Sequence, residues 1–415
     1  MELLAPVGGF EQLQAALTFG ADAVYLAADR FGMRAKAANF SLEELPRAVH
    51  AAHERGVTVH LACNVLMMQQ DLASLPAFLE QVQAAGVDAL ILGDMGAFAL
   101  AQRHAPACEL HVSTQASVAN AEAAKLWHSL GATRIVCARE MTLEDIADLR
   151  ANTPASLEIE TFVHGAQCMA VSGRCLISSY LTGRSGNQGA CTQPCRWSYA
   201  LEEEKRPGIY FPIEEADGDS FILNAKDLNM AAHLDALAEA GVDSIKIEGR
   251  NKKAFYVATV VRAYRQALDE GYSPEVEREL LSISHRPYST GFYFGEPEQA
   301  TDFDGYEQQT MHVADVVETV EGEGDIQERL FARCRNRFAE GDMLEVLEPH
   351  APVRQVVVKG LCWHPEGEAG GMRPRPQAVA VANRSCNLYS FTCSTPPLAG
   401  SFLRTRTYRR SARHG

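Results

Sequence analysis

A closed (β/α)8 barrel of the TIM type is the α/β fold this sequence predicts. It carries a cysteine-bearing insertion after its seventh strand and is followed by a small β-barrel-like domain. Three observations predict it: short apolar, β-rich runs alternate with amphipathic helical stretches from the first residue, the alternation yields eight strands, and no G-x-G-x-x-G loop follows the first of them. Strands buried on both faces and joined by helical crossovers form a parallel sheet, and eight such units close into a barrel. The segment APVGGFEQL lacks the glycine spacing that an open nucleotide-binding sheet places after its first strand.

The predicted strands cover residues 2–5, 23–26, 58–63, 89–92, 109–113, 134–137, 157–163 and 243–247. Between them, apolar residues at helical spacing predict helices over 10–19, 41–55, 72–85, 119–130 and 142–150. Several are closed by glycine just past the last turn, as in FGAD, RGVT, AGVD and LGAT. Ser41 with Glu44, and Thr142 with Asp145, stand at capping-box spacing. Residues 165–227 are too many for an ordinary βα loop and form the insertion, in which 221–223 is predicted to pair with 197–201 as a hairpin. A helix over 229–240 leads back to the eighth strand, and 251–270 supplies the last barrel helix, with Phe255, Ala258, Val261 and Tyr264 repeating on one face.

The barrel is thus expected over 1–300. Alternating runs at 311–320, 327–333, 343–347, 353–358 and 377–382, separated by turn residues, predict the β-domain over 305–383. From 384 to 415 there are six arginines, no acidic residue and no clear period, so this stretch reads as a basic, disordered tail.

A net charge of -15 argues against unselective binding to phosphate backbones, though a local basic face stays open. The opening MELLAPVGG has no basic region followed by a long apolar run, and no stretch reaches the roughly eighteen apolar residues of a membrane span. A cytoplasmic, reducing location is the expectation. In such a compartment clustered cysteines serve as metal ligands or redox groups more often than as disulfides. Cys168, Cys175, Cys191 and Cys195 form such a cluster with the spacing C-x6-C-x15-C-x3-C. Only the second pair matches a zinc knuckle, so the spacing favours an iron-sulfur cluster and leaves zinc as the alternative. Cys63, Cys108 and Cys137 sit in apolar runs and read as core thiols.

Chemistry in such a barrel gathers at the carboxyl ends of the strands. Asn64, Asp94, Gln115, Arg139, Glu140, His164, Glu248 and Arg250 follow the predicted strands, and the cysteine run starts just after the seventh.

These residues carry a resemblance. ETFVHGAQCMAVSGRCLIS, over 160–178, resembles the defining motif of the collagenase-like peptidase family U32, with Glu160, Phe162, Gly165, Cys168, Gly173, Cys175 and Ser178 in place and Gln167 where an aliphatic residue is usual. NQGACTQPCRW, NAKDLNMAAHLDALAEAGVDSIKIEGRNK and HRPYSTGFY are similar to the branch of that family that hydroxylates the wobble uridine of tRNA. The likeness runs from Met1 to about residue 300. It implies a tRNA 5-hydroxyuridine synthase that takes its hydroxyl group from prephenate and holds a 4Fe-4S cluster on Cys168, Cys175, Cys191 and Cys195. Related branches that hydroxylate a quinone precursor draw a ligand from just after the KDL motif, where this chain has Asn229. A peptidase, as the family label suggests, and a zinc-stabilised RNA-binding module are the alternatives. Neither H-E-x-x-H nor G-x-S-x-G occurs in the chain.

Hydroxylation at C5 of uracil needs an extruded base, groups for its edge, and an acceptor for the displaced proton. Glu140, Glu248 and His164 are the candidate catalytic groups. Asn64 and Gln115, with Tyr25, are candidates for the base, and Arg139, Lys246 and Arg250 for anionic prephenate. A salt-bridge network closing the barrel is the competing reading of Lys246, Glu248 and Arg250. Lys252, Lys253, Arg262, Arg265, Arg174, Arg184, Arg196, Arg335 and Arg337 are candidates for a phosphate-tracking face.

Overall fold

Seven parallel strands follow one another from the N-terminus: β1 (Glu2–Pro6), β2 (Ala23–Leu26), β3 (Thr58–Cys63), β4 (Ala89–Leu92), β5 (Glu109–Val112), β6 (Arg134–Val136) and β7 (Glu158–Ala166). The helices between them are α1 (Phe10–Thr18), α2 (Leu45–His53), α3 (Leu75–Ala84), α4 (Met95–His104), α5 (Ala121–Ser129) and α6 (Leu143–Ala151). The computed structural model describes residues 1–33, 39–167, 177–194, 201–202, 210–211, 226–295, 306–320, 328–365, 375–393 and 395–406. After β7 come α7 (Ile177–Thr182), β8 (Leu201–Glu202), β9 (Tyr210–Phe211), β10 (Asp227–Asn229), α8 (Leu234–Glu239), β11 (Ser244–Ile247), α9 (Ala254–Glu270), α10 (Pro274–Ser282) and β12 (Tyr288–Ser289).

β11 pairs in parallel with both β1 and β7, which closes the eight strands into the predicted barrel. Every strand of this ring is nearly solid with buried residues, because one face packs on the helices and the other fills the lumen. Gly131 ends α5 at φ 102, a left-handed conformation that glycine adopts without strain. The Thr142–Asp145 capping box is present in full. The Ser41–Glu44 exchange also forms, at 3.1 and 3.2 Å, but in the turn ahead of α2. Among the described residues no helix is long and apolar enough to cross a membrane.

Three expectations need correction. The segment predicted as the start of a helix at 229 is instead β10, antiparallel to the end of β7, so α8 begins only at Leu234. Leu201–Glu202 pairs with Tyr210–Phe211, not with 221–223, which lies outside the described residues. The largest correction is the tail.

The C-terminal strands are β13 (Thr310–Val320), β14 (Arg329–Cys334), β15 (Phe338–Ala339), β16 (Met343–Leu347), β17 (Arg354–Val357), β18 (Lys359–His364), β19 (Gln377–Ala378), β20 (Val381–Ala382), β21 (Leu388–Thr392) and β22 (Phe402–Arg406). They build a curled antiparallel sheet in the order β17-β16-β22-β13-β14-β21-β18-β19, with β15 and β20 paired separately. Leu388–Thr392 and Phe402–Arg406, within the stretch predicted as a disordered tail, therefore supply two interior strands of this sheet. The sheet has its own core, including Val313, Val316, Leu330, Phe338, Leu344, Val346, Tyr389, Phe391 and Leu403. It docks on the barrel through Phe402, whose ring lies 5.8 Å from Phe19 and 5.9 Å from Phe255. Arg404 of β22 is buried there against Glu279 of α10 at 2.8 Å and Glu345 of β16 at 2.9 Å.

Candidate active site at the barrel mouth

The lumen is charged at its amino-terminal end and aromatic toward its mouth, because β7 alternates. Glu160 and Phe162 share its inner face. Glu160 accepts from Lys246 Nζ at 2.7 Å and from Arg134 Nη1 at 3.1 Å, and Arg134 also reaches Glu2 at 2.6 Å and Glu158 at 2.7 Å. Burial opposes ionisation of Glu160, but Lys246 and Arg134 overcome it and hold the carboxyl below its ordinary range. Glu2, His60 and Glu160 also bring three ligand-type atoms within 4.8 Å of one another. Arg134 and Lys246 already neutralise both carboxylates, so this cluster is a buried ion network.

Above it, two cations stand beside the Phe162 ring: Lys246 Nζ lies 5.6 Å and the Arg139 guanidinium 3.9 Å from its centre. Tyr25 lies 4.4 Å from the same Lys246 ammonium and donates to Ile247 O at 2.9 Å. Arg139 donates to Glu248 Oε2 at 3.1 Å and to Ala166 O at 2.8 Å, which fixes the start of the insertion to the rim. Arg139 and Glu248 are therefore brought together at the mouth, each side chain partly open at 13% and 15%. Glu140 follows Arg139 in the turn before α6 and is half-buried. Lys246 lies a layer deeper and is spent on Glu160. Arg250 is buried and donates to Met33 O. Lys246 and Arg250 are thus engaged within the wall, whereas Arg139 and Glu248 stand partly open at the mouth.

Across the mouth, Asn64 Nδ2 donates to Ser113 Oγ at 3.0 Å, and its Oδ1 accepts from Met33 N at 3.3 Å. Gln115 stands beside it: a Cβ added at Gly93 would meet the Gln115 Cβ at 3.0 Å and the Asn64 Cβ at 3.8 Å. Asp94 instead caps α4.

His164 is placed elsewhere. A bulge in the β7–β11 register, where Phe162 faces Lys246 and His164 faces Ile247, turns its ring out of the lumen. The ring lies 5.4 Å from that of Tyr264 and 5.3 Å from that of Tyr288, with its nitrogens 3.4 Å from both hydroxyls. Burial pushes its basicity down to about 3, so the ring is neutral at physiological pH. Such a ring holds the end of β7 and has no exposed nitrogen for a proton. Beneath it, Asp227 from the KDL segment and Arg286 from the HRPY segment pair at 2.8 Å, both buried. Separate sequence motifs thus converge on one support under the insertion.

Of the four clustered cysteines, Cys191 is described and the other three lie outside the described residues. Cys191 is half-buried, and its Sγ accepts from Gln193 N at 3.3 Å. Ser178 Oγ bonds Arg184 O and Thr192 N, which tightens the loop. Leu66 N donates to Asn187 O at 2.8 Å, so the segment packs beside the loop after β3, on the mouth side. A half-buried thiol receiving a backbone N–H fits a cluster ligand, because such bonds stabilise a ligated thiolate. The core thiols behave as expected: burial pushes Cys63 and Cys137 up to about 12 and Cys108 to about 11.

The predicted phosphate face is only partly assembled. Arg262 is buried on Glu348 O and Ala351 O, and Arg265 pairs with Asp22 and Asp269. Arg184 is exposed, and Arg174 and Arg196 lie outside the described residues. Phe162 was missed as a site residue because a phenylalanine in a strand reads as core. Its one signal was the E-x-F alternation of β7.

The chain matches the model of peptidase family U32 over residues 8–302. It is 33% identical to tRNA hydroxylation protein P of Escherichia coli K12, across 85% of this chain and 87% of that one. It is 38% identical to the 23S rRNA 5-hydroxycytidine C2501 synthase of the same organism, across 65% of this chain and 39% of that one. It is also 33% identical to a collagenase of Porphyromonas gingivalis W83, across 71% of this chain and 74% of that one.

Proposed function

The chain belongs to peptidase family U32, and from that premise we propose that it is an RNA hydroxylase acting on tRNA. In this reading the product is 5-hydroxyuridine at the wobble position, prephenate is the source of the hydroxyl group, and Cys168, Cys175, Cys191 and Cys195 hold a 4Fe-4S cluster. The observation that carries the reading is the mouth itself, where the Arg139 guanidinium lies 3.9 Å from the centre of the Phe162 ring with Glu248 at 3.1 Å. Likeness to the tRNA hydroxylation protein across most of both chains supports tRNA over ribosomal RNA, since the 23S rRNA synthase matches over a smaller share of each chain.

A cluster of this kind supplies one-electron redox and Lewis-acid chemistry to a group bound beside it. The remaining steps fall to the protein. The base must leave its stack to expose C5, and an anticodon loop presents it nearly free. The Arg139 guanidinium, partly exposed at the mouth, offers a cationic group against which a uracil can pack. Both ends of the Asn64 amide are occupied, so Gln115 is the amide that reads the uracil edge. Replacing hydrogen by hydroxyl at C5 is a two-electron oxidation of the base, so the hydroxyl donor departs with the electron pair while Glu248, oriented by Arg139, accepts the proton that C5 loses. The ion pair also keeps this carboxylate in place before substrate arrives.

A peptidase has less support. Among the described residues His164 is enclosed by tyrosines, and Cys63, Cys108 and Cys137 are buried thiols whose raised pKa keeps them protonated.

Anaerobically purified protein, incubated with prephenate and a tRNA transcript, tests the reading. Mass spectrometry of the digested nucleosides should find one added oxygen on the wobble uridine, and brown colour should accompany activity. Colourless, RNA-inert protein that cleaves denatured collagen would overturn it.

A further inference from the structure

We infer that the groove between the barrel mouth and the C-terminal sheet binds the sugar-phosphate backbone of the RNA beside the nucleotide being modified. The inference rests on the RNA-hydroxylase reading and names where that substrate is gripped. The groove holds about 580 Å³, within the roughly 300–1,000 Å³ usual for a ligand site. One wall is the connection from β11 to α9, with Asn251, Lys252 and Lys253; the other is the C-terminal sheet, with His312, Arg335 and Asn336. The β11–α9 connection leaves the carboxyl end of a barrel strand, so the groove opens on the same side of the molecule as Arg139 and Glu248.

Its chemistry suits RNA. Lys253 is exposed and has no carboxylate partner among the described residues. Lys252 stands over the rings of Tyr256 at 5.1 Å and Tyr306 at 5.6 Å, which confines its ammonium to the groove wall. Arg335 is held by Asp315 at 2.5 Å and by Glu11 at 2.7 Å. The groove is lined by Lys252, Lys253 and Arg335 against Glu11 and Asp315, a local excess of one positive charge on a chain whose net charge is -15. Cations aimed into a concave surface on an acidic protein recruit a polyanion there and repel it elsewhere. His312 stacks on Phe255 at 4.9 Å and 12°, adding a flat aromatic surface beside the cations. Cations, amides and a stacked ring side by side are what single-stranded RNA uses. An acidic peptide would need only the cations, and a flat lipid surface cannot enter a cleft.

The test is binding of a fluorescently labelled anticodon stem-loop to the full-length protein, titrated across salt concentrations. K252E/K253E should weaken binding about tenfold or more at 0.1 M salt and flatten the log-log salt slope by about 1.4, at about 0.7 per phosphate contact in single strands. Lys253→Gln should fall between wild type and the double variant, while Lys125→Glu on α5 should match wild type. Circular dichroism establishes that each variant is folded. Wild-type protein that binds the stem-loop with an affinity and slope unmoved by K252E/K253E overturns the groove alone. Loss of poly-glutamate binding with RNA binding intact also overturns it, in favour of an acidic protein partner. Wild-type protein that binds no RNA overturns the hydroxylase reading, and the groove with it.

Discussion

Phe162 is the residue on which the mouth is organised, since it separates a buried ion pair from an accessible one. Below it, Lys246 and Glu160 are enclosed and balanced; above it, Arg139 and Glu248 meet the space a substrate would enter. Glu248→Gln keeps a hydrogen bond for Arg139 but removes the proton acceptor, so kcat should fall about a hundredfold with KM little changed. Equal kcat in the variant would remove Glu248 from the chemistry. His164 makes a prediction of a different kind. Its folded pKa of about 3 lies below the roughly 6.5 of an unfolded chain. The unfolded state therefore binds the proton first, and the stability that this residue contributes above pH 6.5 is lost as pH falls from 6.5 toward 3. Urea unfolding of His164→Asn should show a pH slope shallower than wild type by about 1.4 kcal/mol per pH unit between pH 6 and 4. Identical slopes would mean that the ring is not held neutral.

Among the elements, the barrel strands were legible because each is short, apolar and bounded by a glycine or a cap. β1, β2, β3 and β4 follow runs such as VHLAC and ALIL almost residue for residue. The elements that escaped have physical reasons. β10 is three residues long and exists only because β7 offers it an edge. β22 reads FLRTR, and an arginine in a basic tail looks like solvated charge, whereas Arg404 meets Glu279 of α10, 125 residues away. Nothing local announces such a partner. Breaking a buried pair by removing one member leaves an uncompensated charge. Arg404→Ala should thus cost about 3–5 kcal/mol in urea unfolding, and ending the chain at residue 383 should abolish a cooperative transition. A truncated protein as stable as the full chain would return these residues to the role of a disordered tail. The site divides in the same way: Arg139 and Glu248 were found by their position after a strand, while the deep partner of Lys246 required knowing how β7 and β11 lie in register.

At the scale of the whole molecule, barrel, insertion and C-terminal sheet converge on one end. Arg139 ties the rim to Ala166 at the start of the insertion, and Asp227 with Arg286 ties the return of the chain to the segment after α10. The described part of the cysteine segment, around Cys191, lies on the side of the mouth through the Leu66–Asn187 hydrogen bond, near a cation-aromatic pair and one oriented carboxylate. The C-terminal sheet adds the second wall of a groove that adjoins it. Such an arrangement suits a large substrate gripped at a distance from the reacting atom, with one base delivered to the mouth. The most direct measurement is nucleoside mass spectrometry of bulk tRNA from cells lacking this protein and any second enzyme for the same modification. The account predicts that 5-hydroxyuridine and its derivatives disappear, return with the wild-type chain, and do not return with Cys191→Ser. Undiminished 5-hydroxyuridine in those cells would contradict it.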